Sequence, residues 1–267
     1  MKRWLYNLSP RTYVRFRRVY NSTFKKAWQN RKARRIYKEN KKKYSSLNKD
    51  DRFKIISKYE RPCLEDRFES AGTLGCYFWQ DLWAAAQVFK HKPTVHYDIA
   101  SRVDGFIGML SSFGQKTIMI DVRPLESVIP CVDFFQADAT TLDGIDDESV
   151  ESISALCSLE HFGLGRYGDT IAPDAWYEAM RSIVRVVKSG GHAYIAVPVG
   201  KEHVEFDAHR VFYARTVVEA FSPMKLVEYS AIHANDTTIE SDVPLEKYDQ
   251  DTSLGGHRFG LFHFVKE

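Results

Sequence analysis

From residue 93 onward the sequence changes its period, and that change constrains the fold more than any other feature. TVHYDIA (94–100), KTIMIDVRP (116–124), CVDFFQAD (131–138), VESISALCS (150–158) and HAYIAVPV (192–199) read as strands. Helical patterns fall between them. DGFIGMLSSFG (104–114) closes at Gly114. In PDAWYEAMRSIVRVVKSGG (173–191), Pro173 opens a helix, Trp176, Met180, Ile183, Val184 and Val187 share one face, and Gly190 and Gly191 end it. RTVVEAFS (215–222) reads as a short helix, and KLVEYSAIH (225–233) and HRFGLFHFVK (257–266) as a final pair of strands. Strands alternating with helices predict an α/β fold with one doubly wound, mostly parallel sheet. Right-handed crossovers then gather the strand C-termini along one edge, where ligands bind near the switch of strand order. Upstream, residues 54–90 also read as helical, with QDLWAAAQVF as the best stretch.

The net charge of +3 conceals two opposed segments. Residues 1–49 carry seventeen Lys/Arg and one acid, Glu39, a net of +16; the rest of the chain carries −13. This divides the chain into a basic helical arm (1–50) and an acidic body (51–267). Ser9 and Pro10 suit a helix start, and Tyr13, Phe16, Tyr20, Phe24 and Trp28 then recur on one face. Three destinations fit such a helix: an anionic membrane surface, nucleic acid, or packing on the body or on a second copy of the chain. Nucleic acid is the least favoured of the three. No apolar stretch reaches membrane-span length, and the N-terminus lacks a signal-peptide core. Cys63, Cys76, Cys131 and Cys157 form no C-x-x-C pair and read as thiols of a reducing compartment. The expected location is the cytoplasm, with the arm allowing peripheral attachment to the inner membrane face.

The chemistry gathers at the strand ends. Asp98 lies near the end of the first strand, Asp121 ends the second, Asp138 follows the third, and Glu160 and His161 follow the fourth. A carboxylate after the second strand can accept ribose hydroxyls, and one after the third can reach an adenine amine. SLEHFGLGRYGD (158–169) places Arg166 and Asp169 beside Glu160 and His161, as a loop at a functional lip would. His161 suits a general base, and Glu160 suits a group that orients it. GKEHVEFDAHRVF (200–212) faces the same edge and offers His203, Glu205, His209 and Arg210 for acceptor contacts. Its spacing matches no zinc motif, so no metal is expected.

HYDIASRVDG, IMIDVRP, FFQADAT, ISALCSLEHF and VVKSGGHAYIAVP together resemble the motifs of class I S-adenosylmethionine-dependent methyltransferases over about residues 93–266. The Lys-x-Gly-Gly turn is the most specific of them. SLEHFGLGRYGD more narrowly resembles domain-of-unknown-function family 268, whose methyltransferase-like members often accompany bacterial surface-polysaccharide genes. The resemblance implies a Rossmann-like methyltransferase fold and S-adenosylmethionine as cofactor. It implies that Asp98, Ala100, Ser101 and Gly105 lie beneath the methionine end, Asp121 at the ribose, and Asp138 and Ala139 at the adenine. It implies a sugar or glycan acceptor beside Glu160 and His161. The first loop departs from the family's D/E-x-G-x-G-x-G: here alanine and serine replace glycines, and Arg102 offers a cation for the cofactor carboxylate. That departure keeps two rivals open: an enzyme using a nucleotide-sugar or altered cofactor, and a non-catalytic scaffold on the same fold.

Overall fold

The structure is a computed structural model and describes residues 26–64, 67–68, 74–232, 238–252 and 258–267. Residues 9–25 of the expected aromatic-faced helix lie outside the described residues; the last residue of that face, Trp28, falls in the helix Lys26–Leu47. The chain divides into two units, 1–73 and 74–267.

In the first unit, helix α1 (Lys26–Leu47) carries the basic run. The segment after it is tied back to α1. Glu60 accepts hydrogen bonds from Tyr37 Oη (2.7 Å) and Lys41 Nζ (2.6 Å), and Tyr44 Oη donates to the Phe53 carbonyl (3.0 Å). These bonds carry the unit beyond residue 50, where charge alone had placed the boundary. Residues 54–64 are not helical as expected; they hold only a short 3-10 turn, Ser57–Tyr59. Pro62 interrupts any helix there, and Ile55, Ile56 and Tyr59 stay exposed, so no buried face rewards one. Among the described residues, no helix is long and apolar enough to cross a membrane.

In the second unit, α2 (Cys76–His91) leads into the sheet. The parallel strands are β1 (His96–Ile99), β2 (Thr117–Asp121), β3 (Val132–Gln136), β4 (Val150–Leu156) and β5 (Val187–Val199). Between β1 and β2 run a π turn (Val103–Ile107) and α3 (Gly108–Ser112); α4 (Ala175–Val186) precedes β5. A hairpin, β6 (His203–Glu205) and β7 (His209–Val211), follows within the polar run 200–212. Then come α5 (Ala214–Ala220), β8 (Lys225–Ile232), the unexpected β9 (Ile239–Glu240) and β10 (Arg258–Val265). The strand order is β3-β2-β1-β4-β5-β10-β8-β9, with β10 inserted antiparallel between β5 and β8. Helices pack on both faces, as the alternating pattern predicts.

Strand β5 shows why. Ala193, Ile195 and Val197 face one core with Met180, Ile183 and Val184 of α4; Tyr194 and Ala196 face the other with Trp83, Ala84 and Val88 of α2. One expectation fails at the start of this strand. Helix α4 stops at Val186, and Lys188 to Gly191 belong to β5. The last carbonyls of α4 are taken by Glu148 N and Ser149 N (3.1 and 2.9 Å), so no glycine cap is needed. Gly190 (φ +72) instead shapes an irregularity where β5 joins β4.

Candidate active site

The strand order reverses between β1 and β4, and a cleft of about 250 Å3 opens at the C-terminal ends of these strands. Its lining comes from the turns after β1 to β4, from the first turns of α2, and from the loop 158–172. Of the site residues expected from sequence, Ala100, Asp121, Asp138, Ala139, His161 and Asp169 line it.

The turn after β1 is built from below. Asp98 is fully buried; its Oδ1 accepts from Ser101 Oγ and Ser154 Oγ (2.6 Å each), and its Oδ2 from the Ser101 amide (3.0 Å). Burial raises its pKa to about 6 against the pull of those bonds. Asp98 and Ser101 do not line the cleft; they hold the turn that presents Ala100. Ala100 adopts φ +55, so an alanine occupies the left-handed conformation expected of glycine. Cys157, after β4, does the same at φ +53. Each conformation costs about 1 kcal/mol or more, and both lie at the cleft. Gly105 is also off the lining. A Cβ there would stand 2.0 Å from Asp81 Oδ2, so this glycine admits the Asp81 carboxylate to the π turn.

The two rim carboxylates are already engaged. Asp121 accepts from Arg123 N (2.9 Å), Nε (3.0 Å) and a terminal guanidinium nitrogen (2.7 Å). Arg123 in turn lies 4.7 Å over the Tyr167 ring. Asp138 Oδ1 accepts from Thr140 N and Oγ1, both at 2.8 Å.

The fourth strand end differs from expectation. His161 lines the cleft with Nδ1 2.6 Å from the Ala208 carbonyl; a proton on Nδ1 leaves Nε2 as the acceptor. Burial lowers its pKa from the ordinary 6.5 to about 4. Glu160 turns inward in the short turn Leu159–His161 and does not line the cleft. Burial raises its pKa to about 8, and its Oε2 has no hydrogen-bond partner among the described residues. Its Oε1 stands 3.6 Å from His161 Nε2, too far to orient the ring by a hydrogen bond.

Of the remaining expected acceptor residues, Asp169 and Arg210 brace the loop. Asp169 accepts from Gly163 N (2.7 Å), Gly165 N (3.2 Å) and Tyr167 N (3.2 Å). Arg210 donates to the Phe162 carbonyl (2.6 Å) and the Pro173 carbonyl (3.1 Å). Arg166 is exposed, its guanidinium 5.2 Å from the Tyr167 ring. His203 and His209 flank Glu205 at 3.6 and 3.8 Å on the hairpin, off the cleft lining.

Sequence reasoning missed Tyr77, Gln80, Asp81, Arg123 and Tyr167 as lining residues. A signal existed for two of them. Gln80 shares a helical face with Ala84 and Val88, with Asp81 beside it, and both polar side chains are buried. Cys157 Sγ donates to Gln80 Oε1 (2.9 Å), and burial pushes the thiol well up, so it is a packed thiol and not a nucleophile.

The model of family DUF268, described as a Caenorhabditis protein of unknown function, matches residues 127–254. No curated protein sequence matches the chain. Similar solved structures include the (4+2)-cyclase SpnF, at 14 % identity and TM-score 0.51, covering 70 % of this chain and 81 % of that one. A TehB-like SAM-dependent methyltransferase from Corynebacterium glutamicum shows 16 % identity and TM-score 0.45, covering 71 % and 88 %. A 1,6-didemethyltoxoflavin-N1-methyltransferase from Burkholderia thailandensis, with S-adenosylhomocysteine bound, shows 17 % identity and TM-score 0.47, covering 70 % and 78 %. At 14 % identity the likeness to SpnF is one of fold alone. The strand order gives a mostly parallel, Rossmann-like sheet like that of the methyltransferase fold, as the sequence resemblance implies, and residues 127–254 match the DUF268 model.

Proposed function

We propose that this chain transfers a methyl group from S-adenosylmethionine to a hydroxyl of a sugar or glycan intermediate. One observation carries the reading: one cleft at the switch of strand order is lined by Asp121, Asp138 and His161 together. The cradle suits the cofactor. Ala100, small and in the left-handed conformation, lets a ligand approach the backbone. Arg102 lines the cleft, and its ion pair with Asp104 is exposed and easily exchanged for a ligand carboxylate. Asp121 must exchange part of its Arg123 pairing for the ribose hydroxyls. When bound, S-adenosylmethionine supplies an electrophilic methyl; His161 Nε2 accepts the hydrogen bond of the acceptor hydroxyl and aligns its oxygen. The choice of a glycan rests on the family resemblance; the cleft itself asks only for a hydroxyl.

Two arginines, Arg102 and Arg123, line the same cleft and favour a second reading, a nucleotide-sugar held by its diphosphate. Fold does not choose between them. Calorimetry with S-adenosylmethionine, S-adenosylhomocysteine and a nucleotide-sugar does. Binding of the first two supports methyl transfer, and binding of the nucleotide-sugar alone supports the second reading. Binding of none removes both and leaves a docking scaffold.

For the arm, the proposal is attachment to an anionic membrane surface. The support is its charge of +16 over residues 1–49 and, in α1, Trp28 left 64 % exposed beside Lys32, Nζ 5.4 Å from its ring.

A further inference from the structure

Three histidines that are distant in sequence meet at the other end of the sheet. His91 ends α2, His192 pairs with Ser152 just after the register shift in the β4–β5 ladder, and His263 lies on β10 opposite Tyr194. Each offers a ring nitrogen, and the three nitrogens lie within 4.8 Å of one another. They border a second cavity, of about 490 Å3, also lined by Gln87, Glu228 and Asp242. Leu156 and Ala196 end the same ladder at the cleft side, so this cavity sits at the opposite, N-terminal edge of the parallel strands.

The second layer of contacts is the informative part. His91 Nδ1 stands 2.9 Å from the Gln87 carbonyl and 2.8 Å from Tyr194 Oη. A proton on Nδ1 serves both oxygens and leaves Nε2 as a lone pair. A backbone carbonyl on the far ring nitrogen is the usual way a metal-ligating imidazole is oriented. His192 Nδ1 and His263 Nε2 are 2.9 Å apart and share one proton. The His91 and His192 rings stack at 4.1 Å. Burial lowers the pKa of all three, to about 3 for His263, and a neutral imidazole is the ligand form. The charges facing the cluster are mixed. Lys90 opposes a cation, while Glu228 and Asp242 in the cavity, and Glu151 beside His192, favour one.

We propose that His91, His192 and His263 form a binding site for one divalent transition-metal ion of the Zn2+ class, remote from the cleft. Three imidazoles with open positions suit zinc and its borderline-soft neighbours better than calcium or magnesium. In a tetrahedral zinc site the ligand nitrogens lie about 3.4 Å apart, from bonds of about 2.0–2.1 Å. Reaching that spacing takes small movements of His91 and His192, which are only partly buried. The proton shared by His192 and His263 moves to the far nitrogen of its ring, so no net proton is released. Water, Glu228 or Asp242 completes the coordination. The ion would clamp the end of α2 to β5 and β10, a structural role independent of the proposed methyl transfer. No spacing rule could have found it, since the ligands come from three elements across 172 residues of sequence.

The test uses the full chain without an affinity tag, stripped with EDTA and titrated with Co2+ and then Zn2+. One equivalent of Co2+ should give a visible d–d absorption that Zn2+ abolishes, and Zn2+ should raise the melting temperature. His91→Ala and His192→Gln should each weaken Zn2+ binding at least tenfold while keeping the wild-type circular dichroism spectrum. His203→Ala and His209→Ala, on the surface hairpin, should leave it unchanged. The absence of saturable binding, or binding lost with the hairpin variants and kept in His192→Gln, would overturn the proposal.

Discussion

Glu160 gives the sharpest stability test in this molecule. It is buried, its Oε2 has no partner among the described residues, and its pKa is raised from 4.5 to about 8. The folded chain therefore keeps the Glu160 proton at neutral pH, while the unfolded chain releases it. A raised folded-state pKa contributes stability that is complete below the unfolded pKa and is lost as pH rises towards the folded one. Each pH unit between 4.5 and 8 removes about 1.4 kcal/mol, or on the order of 3 kcal/mol by pH 7. Glu160→Gln cannot ionise and escapes this loss. Its amide also lacks a partner, at a cost of about 1–3 kcal/mol that does not vary with pH. The slope, and not the level, is thus the signal. Urea unfolding at a series of pH values from 5 to 8 should show wild-type stability falling relative to the variant throughout that window. Asp98, raised to about 6, adds its own fall at the acidic end in both proteins. Parallel curves for wild type and Glu160→Gln would refute the argument and mean that Glu160 is ionised in the folded protein.

Four further outcomes are expected. Asp121→Ala should weaken S-adenosylhomocysteine binding about tenfold in calorimetry, since a charge-assisted bond contributes roughly 1.5–3 kcal/mol and Arg123 already holds part of this carboxylate; an unchanged affinity removes Asp121 from the cofactor site. His161→Ala should lower turnover about 100-fold, the low end for a base of depressed pKa, and the wild-type rate should stay flat with falling pH until close to pH 4; a rate that drops near pH 6.5 contradicts a buried, neutral His161. Gly163→Ala should destabilise by at least about 2 kcal/mol, because φ is +74 and the new Cβ would stand 1.8 Å from the Ala172 carbonyl oxygen; a melting temperature equal to wild type would show that the loop rearranges freely. Deleting residues 1–73 should release the protein from anionic vesicles, and added salt should do so partially; full-length chain that ignores such vesicles at low salt ends the membrane proposal.

Local pattern determined a large part of this protein. The alternation of periods from residue 93 was enough for the doubly wound sheet, because side-chain periodicity follows from which faces of an element must be buried. It also placed Asp121, Asp138 and His161 at one edge, since strand ends share an edge in any parallel sheet. The sequence alone determined the opposed charge of arm and body as well. Only the tertiary structure decided what each polar group does there. Asp98 and Glu160 sit at strand ends like the others, yet a difference of side-chain direction puts both in the core, where desolvation raises both pKa values and keeps the proton on Glu160 at neutral pH. Arg210 reads as an acceptor contact and is a brace for the Phe162 and Pro173 carbonyls, because β6 and β7 fold back as a hairpin. Tyr77 and Asp81 reach the cleft from a helix that precedes the first strand, a contact set by packing across the sheet. The meeting of His91, His192 and His263 depends on β10 entering between β5 and β8. Periodicity records whether a residue is buried; which residues it meets is a property of strand order, and strand order is settled by long-range packing that no local window contains.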